Sequence, residues 1–199
     1  MQHFLQKLHL TNRNASGESN DYSSEASLIQ LSIKGDRVAQ KAIFDALAPK
    51  MMSVCLRYTG DRESAEDVLQ DGFVTLFSKL ESYTGEGSFE GWARKIFVNT
   101  ALMSLRKKDA LRDSGDLETV TGRASEAASQ LQNLGYKELM SLIAELPPMY
   151  RTAFNLFAIE GYSHKEIAEA LGFNEATSRS KLQRARIRLQ EMIKEQEKK

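Results

Sequence analysis

Apolar side chains recur along the chain at separations of three and four, and no stretch sustains the two-residue alternation of a half-buried strand. That period predicts helices almost throughout. From about Ser64 to Leu80, Ala65, Leu69, Phe73, Leu76, Phe77 and Leu80 fall on one stripe, while Asp67, Gln70, Asp71, Val74 and Ser78 fall opposite. The stretch from about Gly91 to Lys108 is different, because it carries two non-polar faces. Ala93, Phe97, Val98, Ala101, Leu102 and Leu105 make one; Trp92, Lys95, Ile96, Asn99, Met103 and Arg106 line up on the other, with Lys107 beside them. Further on, Leu139, Leu142, Ile143 and Leu146 form a stripe that stops at Pro147-Pro148, and Ala153, Phe154 and Phe157 mark another helix. Ser163 followed by Glu166 is a capping box, and Gly172 closes the short helix it opens. Asn174 is placed to cap a last helix, whose inward stripe is Ser178, Leu182, Ala185 and Leu189.

Two stretches lack this pattern. Residues 1–24 are polar and read as a mobile N-terminal arm, in which Phe4, Leu5 and Leu8 offer a short docking helix as the alternative. Residues 109–136 are rich in Ser, Gly, Asp, Glu and Ala, the composition of a linker. The expected fold is therefore all-α: two small helical domains, 25–108 and 137–195, joined by an acidic flexible linker. The second is expected to be a helix-turn-helix, since Gly172-Phe173-Asn174 has the length and the glycine of its turn. A chain of 199 residues is long enough for two small cores.

Charge at first argues against nucleic acid, because 27 Lys and Arg balance 27 Asp and Glu. Its distribution argues the reverse. Gly91–Lys108 holds Arg94, Lys95, Arg106, Lys107 and Lys108 without an acid, and Ala176–Gln190 holds Arg179, Lys181, Arg184, Arg186 and Arg188 without an acid. Asp61–Glu90 holds eight acids against Arg62 and Lys79. On the last helix, Ala176, Ser180, Gln183 and Ile187 oppose the inward stripe, with cations on both shoulders. Short groups at the centre of a face and cations on its flanks suit a helix in the DNA major groove; a solvated cationic helix is the alternative. Ile187 fits the groove poorly. The Trp92 face mixes a ring, an amide and cations, which suits unpaired bases, although a helix buried on two sides would show it too. Val74 within an acidic stripe reads either as a docking surface or as an ordinary solvated face.

Catalytic chemistry finds little support. His3, His9 and His164 are scattered, no glycine-rich phosphate loop occurs, and the single cysteine, Cys55, sits among Met51, Met52, Val54 and Leu56 as a buried thiol would. No enzyme activity, metal or cofactor is expected. With no signal peptide or membrane-spanning apolar run read in the sequence, the expected location is the cytoplasm.

Several ordered motifs together resemble a known family. In the first block these are Ile33-Lys34-Gly35-Asp36, Arg57-Tyr58-Thr59-Gly60-Asp61-Arg62, Ala65-Glu66-Asp67-Val68-Leu69-Gln70-Asp71 and Ser88-Phe89-Glu90-Gly91-Trp92, followed by the helix through Asn99 to Leu105-Arg106-Lys107. In the second they are Leu146-Pro147 with Tyr150-Arg151, Glu160-Gly161-Tyr162-Ser163, Glu166-Ile167-Ala168, Leu171-Gly172, and Ser180-Lys181-Leu182-Gln183-Arg184-Ala185-Arg186. The set resembles the extracytoplasmic-function group of bacterial sigma factors, the promoter-recognition subunits of RNA polymerase.

The resemblance implies partners and roles. Asp67, Gln70 and Asp71, with Val74 beside them, match the stretch that docks on the clamp helices of the polymerase largest subunit. Trp92, Lys95, Asn99, Met103, Arg106 and Lys107 match the part that melts and reads the near promoter element, and the loop around Tyr83 to Phe89 would help hold a flipped base. Thr177, Arg179, Ser180, Lys181, Gln183, Arg184 and Arg186 match the helix that reads the far element as duplex. An anti-sigma factor is a further expected partner. Two departures stand out: Met103 replaces an aspartate frequent in the family, and Ser178 replaces the usual inward valine, which would cost burial. The competing functional reading is a stand-alone helix-turn-helix repressor or activator. A nucleic-acid-processing enzyme with such a domain is a third.

Overall fold

The computed structural model describes residues 12–13, 19–112 and 134–196. Apart from a two-residue antiparallel ladder, Asn12–Arg13 (β1) against Ser19–Asn20 (β2), the regular structure among these residues is helical. Eight helices follow in order: α1 (Glu25–Ile33), α2 (Arg37–Thr59), α3 (Arg62–Ser78), α4 (Phe89–Arg112), α5 (Leu134–Glu145), α6 (Pro148–Phe154), α7 (His164–Leu171) and α8 (Glu175–Gln196). The all-α expectation is met. A 3-10 turn, Leu80–Ser82, follows α3, and a π-turn, Asn155–Ile159, continues α6. The short docking helix read around Phe4 to Leu8 and most of the 109–136 stretch lie outside the described residues.

The chain divides into two compact units. One comprises the described parts of Met1–Ser53 and Leu69–Phe97, the other those of Val54–Val68 and Val98–Lys199. In the first unit the buried positions include Ile43, Leu47, Met51, Leu76, Phe89 and Phe97. Phe73 meets Phe97 edge-on at 5.0 Å and Phe44 at 4.5 Å between ring centroids, within the range where aromatic pairs attract. Gly72 is required by this packing, since a Cβ there would strike the Phe97 ring. Tyr22 is also buried, its hydroxyl donating to Asp36 Oδ2 at 3.0 Å. Packed structure thus reaches into the polar stretch before residue 25.

In the second unit Leu142 and Ile143 of α5, with Leu146 just after it, pack with Ala185, Leu189 and Met192 of α8. Leu139, read as part of that stripe, is exposed. Cys55 is fully buried, and burial pushes its thiol up to about 12. Where periodicity marked a plain helix through Phe154 and Phe157, the ladder widens instead: Glu160 N–H reaches Asn155 O, five residues back. One inserted residue shifts everything after it round the helix and leaves no trace in the apolar pattern.

Candidate functional site

Three exposed faces carry the residues singled out from the sequence. On α3, one turn of geometry separates core from solvent: Ala65, Val68, Phe73 and Leu76 are buried, while Asp67, Gln70, Asp71 and Val74 are all exposed on the opposite side. Val74 is 66% exposed, the clearest apolar break in an otherwise acidic stripe. Asp61 starts this helix, its Oδ1 accepting from Ser64 N–H at 2.8 Å.

On α4 most of the expected inward stripe holds: Ala93, Phe97, Val98, Ala101 and Leu102 are buried, while Leu105 is only half-buried. Ser88 caps the helix, its Oγ accepting from Gly91 N–H at 3.1 Å. The outer face presents Lys95, Asn99, Met103, Arg106 and Lys107 to solvent. Trp92 is neither core nor free: it is half-buried, stacked on Phe89 at 5.7 Å and tilted against Tyr83 at 5.3 Å. Buried Phe89 is the floor of this cluster. The loop leading into it is pinned by Tyr83 Oη donating to Gly87 O at 2.9 Å, with Gly85 and Gly87 both at positive φ. A sequence pattern cannot show that Tyr83, Phe89 and Trp92 form one aromatic step, because the loop geometry brings them together. At the other end of the face, Arg106 Nη2 reaches Glu169 O of α7 at 3.5 Å.

The third face belongs to α7, the turn and α8. Ser163 accepts from Glu166 N–H while Ser163 N–H donates to Glu166 Oε2, the reciprocal pair of a capping box. Gly172 ends α7 at φ 73°, and Asn174 Oδ1 accepts from Thr177 N–H at 2.8 Å to open α8. Ser178, Leu182, Ala185 and Leu189 are buried as the period requires, which leaves Arg179, Ser180, Gln183, Arg184, Arg186 and Ile187 exposed and Thr177 and Lys181 partly so. Burying Ser178 costs less than its chemistry implies. Its hydroxyl and His164 Nδ1 hydrogen-bond at 2.9 Å, and the His164 ring stacks on Phe157 at 4.7 Å.

One residue of this face was not among the sequence candidates. Tyr150 lies beside α8, where its hydroxyl accepts from Arg184 Nη1 at 3.2 Å and its ring lies 5.9 Å from Lys181 Nζ. Together with Asn174, Ala176, Thr177, Ser180, Lys181 and Arg184 it lines an open hollow at the start of α8. The Arg184 guanidinium holds the phenol below its ordinary pKa. The signal available in the sequence was the pair Tyr150-Arg151 just ahead of the helix-turn-helix, whose reach to α8 depends on the fold. Elsewhere, no cluster of three or more His, Cys, Asp or Glu side chains is arranged for a metal among the described residues. No described helix is long and apolar enough to cross a membrane.

Residues 43–111 match the family description Sigma-70 region 2, and residues 136–189 match Sigma-70, region 4. The ECF RNA polymerase sigma factor SigE of Mycolicibacterium smegmatis is 30% identical over 151 residues, covering 73% of this chain and 58% of that protein. The ECF RNA polymerase sigma-E factor of Haemophilus influenzae is 26% identical over 181 residues, covering 85% of this chain and 95% of the relative. In fold, the sigma factor RpoE of Bartonella quintana, solved with the anti-sigma factor NepR, matches with a TM-score of 0.51 at 24% identity, over 77% of this chain and 96% of that one. With region 2 and region 4 in the family's order and ECF factors among its relatives, the chain belongs to the extracytoplasmic-function group of sigma-70 factors.

Proposed function

We propose that this chain binds core RNA polymerase and directs promoter-specific initiation, with each exposed face serving a different partner. The observation that carries the reading is the segregation of those faces. An acidic stripe broken by exposed Val74 lies on α3, a stacked aromatic step with cations lies on α4, and a capped helix-turn-helix presents cations on α8. Asp67, Gln70, Asp71 and Val74 would dock on the polymerase clamp, where a carboxylate stripe gives orientation and an apolar contact is desolvated.

Near the start site the DNA must open. Trp92, supported by Phe89 and Tyr83, offers an unpaired base a ring to stack on, while Lys95, Arg106 and Lys107 hold the backbone and Asn99 presents an amide to a base edge. Met103 in that row offers no hydrogen bond, so it would contact a base only through its apolar side. At the far element, Thr177, Arg179, Ser180, Lys181, Gln183, Arg184 and Arg186 would meet duplex DNA, the long cations on phosphates and the short polar groups at base edges. Tyr150 joins them by positioning Arg184. The described part of the two promoter-reading blocks, 25–108 and 137–195, would act on either side of an acidic linker. The chain would work in the cytoplasm as a non-enzymatic subunit, held in check by an anti-sigma factor.

Reconstituted transcription with bacterial core polymerase on a library of promoter fragments tests the reading. Starts absent with core alone are expected, and the pair Asp67→Lys with Asp71→Lys should weaken core binding while leaving stability within about 0.5 kcal/mol, as for surface changes generally. No new starts, together with tight operator binding by the chain alone, would mark a repressor or activator instead.

A further inference from the structure

Two side chains outside the DNA-facing set touch α8 at points two turns apart. Ser178 lies on the inward stripe of α8 and is fully buried, where a hydroxyl needs a partner. His164 Nδ1 supplies it at 2.9 Å. The histidine has little freedom of its own. It opens α7, and the capping box between Ser163 and Glu166 fixes the main chain of that first turn. Its ring is stacked on Phe157 at 4.7 Å, with 22° between the planes. Phe157 comes from the π-turn after α6, and its ring centre lies 5.7 Å from the Arg186 guanidinium carbon, within cation–π range.

The spacing of the two points matters. Eight residues separate Ser178 from Arg186, which on an α-helix is about 12 Å of rise and a rotation of about 80°. A pair of stacked rings that touches both points opposes sliding of α8 as well as rolling. Apolar packing restrains rolling less. Leu182, Ala185 and Leu189 are buried through contacts that have no direction, and these survive a small roll. A roll of about 10° moves the surface of a helix about 5–6 Å in radius by about 1 Å, more than a base-edge hydrogen bond accepts. The long side chains of Arg179 and Arg184 can follow a phosphate through that shift. The shorter Ser180 and Gln183 cannot follow a base edge.

We propose that His164 is a positioning residue for far-element recognition: it sets the rotation of α8 through Ser178 and steadies Arg186 through the Phe157 ring. The inference rests on the function proposed above, and adds to it a group that governs discrimination between duplexes from behind the reading face. Phosphate binding does not depend on it.

The test gives the full chain on core polymerase a pool of short randomised duplexes. It reads the sequence preference of the bound fraction beside the affinity for the whole pool. Ser178→Ala removes only the hydroxyl and favours the helix, while His164→Phe keeps a ring on Phe157 and loses the bond. Each should flatten the preferred motif by about threefold to tenfold, the worth of one hydrogen bond, with pool affinity and its salt dependence unchanged. Because both act through one bond, the double variant should lose no more than either single one. His164→Asn, whose amide can stand where Nδ1 does, should recover most of the preference. A motif unchanged in both single variants, losses that add in the double one, or pool affinity that falls in step with preference would overturn the inference and leave the functional reading standing. A native complex that selects no motif at all would overturn both.

Discussion

Arg184 shows how much a single side chain owes to its neighbour. Alone on α8 it would be a long, mobile cation; with the Tyr150 hydroxyl accepting from Nη1 it is held at the mouth of the hollow that opens α8. Replacing Arg184 by Ala should weaken far-element binding and lower the salt slope of binding by about 1, the loss of one phosphate contact. Tyr150→Phe removes orientation and no charge, so binding to the same duplex should weaken less and the slope should stay unchanged. Both are read by titrating duplex at several salt concentrations. The cysteine makes an opposite point, since burial holds Cys55 as a neutral thiol. With its folded pKa near 12 against an ordinary 9.0, the stability it contributes is intact below about pH 9 and is lost as pH rises through 12. Because the thiolate is the reactive form, Cys55 should resist alkylation at pH 8 in the folded chain and react once the chain is unfolded. Its burial was legible from Met51, Met52, Val54 and Leu56 alone. Tyr150 was not, because the bond to Arg184 spans 34 positions and depends on how α6 meets α8.

At the scale of helices, period 3.6 foretold the buried stripe of α8 and most of those of α3 and α4, where Leu69, Phe77 and Leu105 are only half-buried and Val68, left off the stripe, is buried. Three other failures share a cause. Leu139 lies on the stripe of α5 yet is left exposed, the π-turn after α6 changes the register without changing composition, and Gly72 is silent in any apolar pattern. Each depends on what sits across from the helix and not on the helix itself. Gly72 makes the dependence measurable. On an exposed helix Gly→Ala would add stability, yet here the added methyl meets the Phe97 ring, so Gly72→Ala should lower unfolding stability by about 1–3 kcal/mol in denaturant titration. A stabilised variant would mean that Phe97 can move aside and that α3 and α4 pack less tightly than the ring pair at Phe73 implies.

For the whole molecule, zero net charge is the sum of opposed surfaces. The acidic stripe of α3 and the cations of α4 and α8 suit two unlike partners, a polymerase and a nucleic acid. Balanced overall, the free chain should hold non-specific DNA weakly, since phosphate neutralisation drives such binding. The faces could be read in the sequence because charge and period sort together along each helix. The aromatic step and the Tyr150–Arg184 bond could not, since the first is assembled by a loop and the second joins residues 34 positions apart. The most direct test of the central claim is permanganate footprinting of thymines at the near element, in complexes of promoter, core polymerase and this chain. Unpaired, reactive thymines should appear only when all three are present, and Trp92→Ala should suppress them while far-element protection persists. Thymine reactivity that is unchanged by Trp92→Ala, or that never appears although starts are made, would contradict the account.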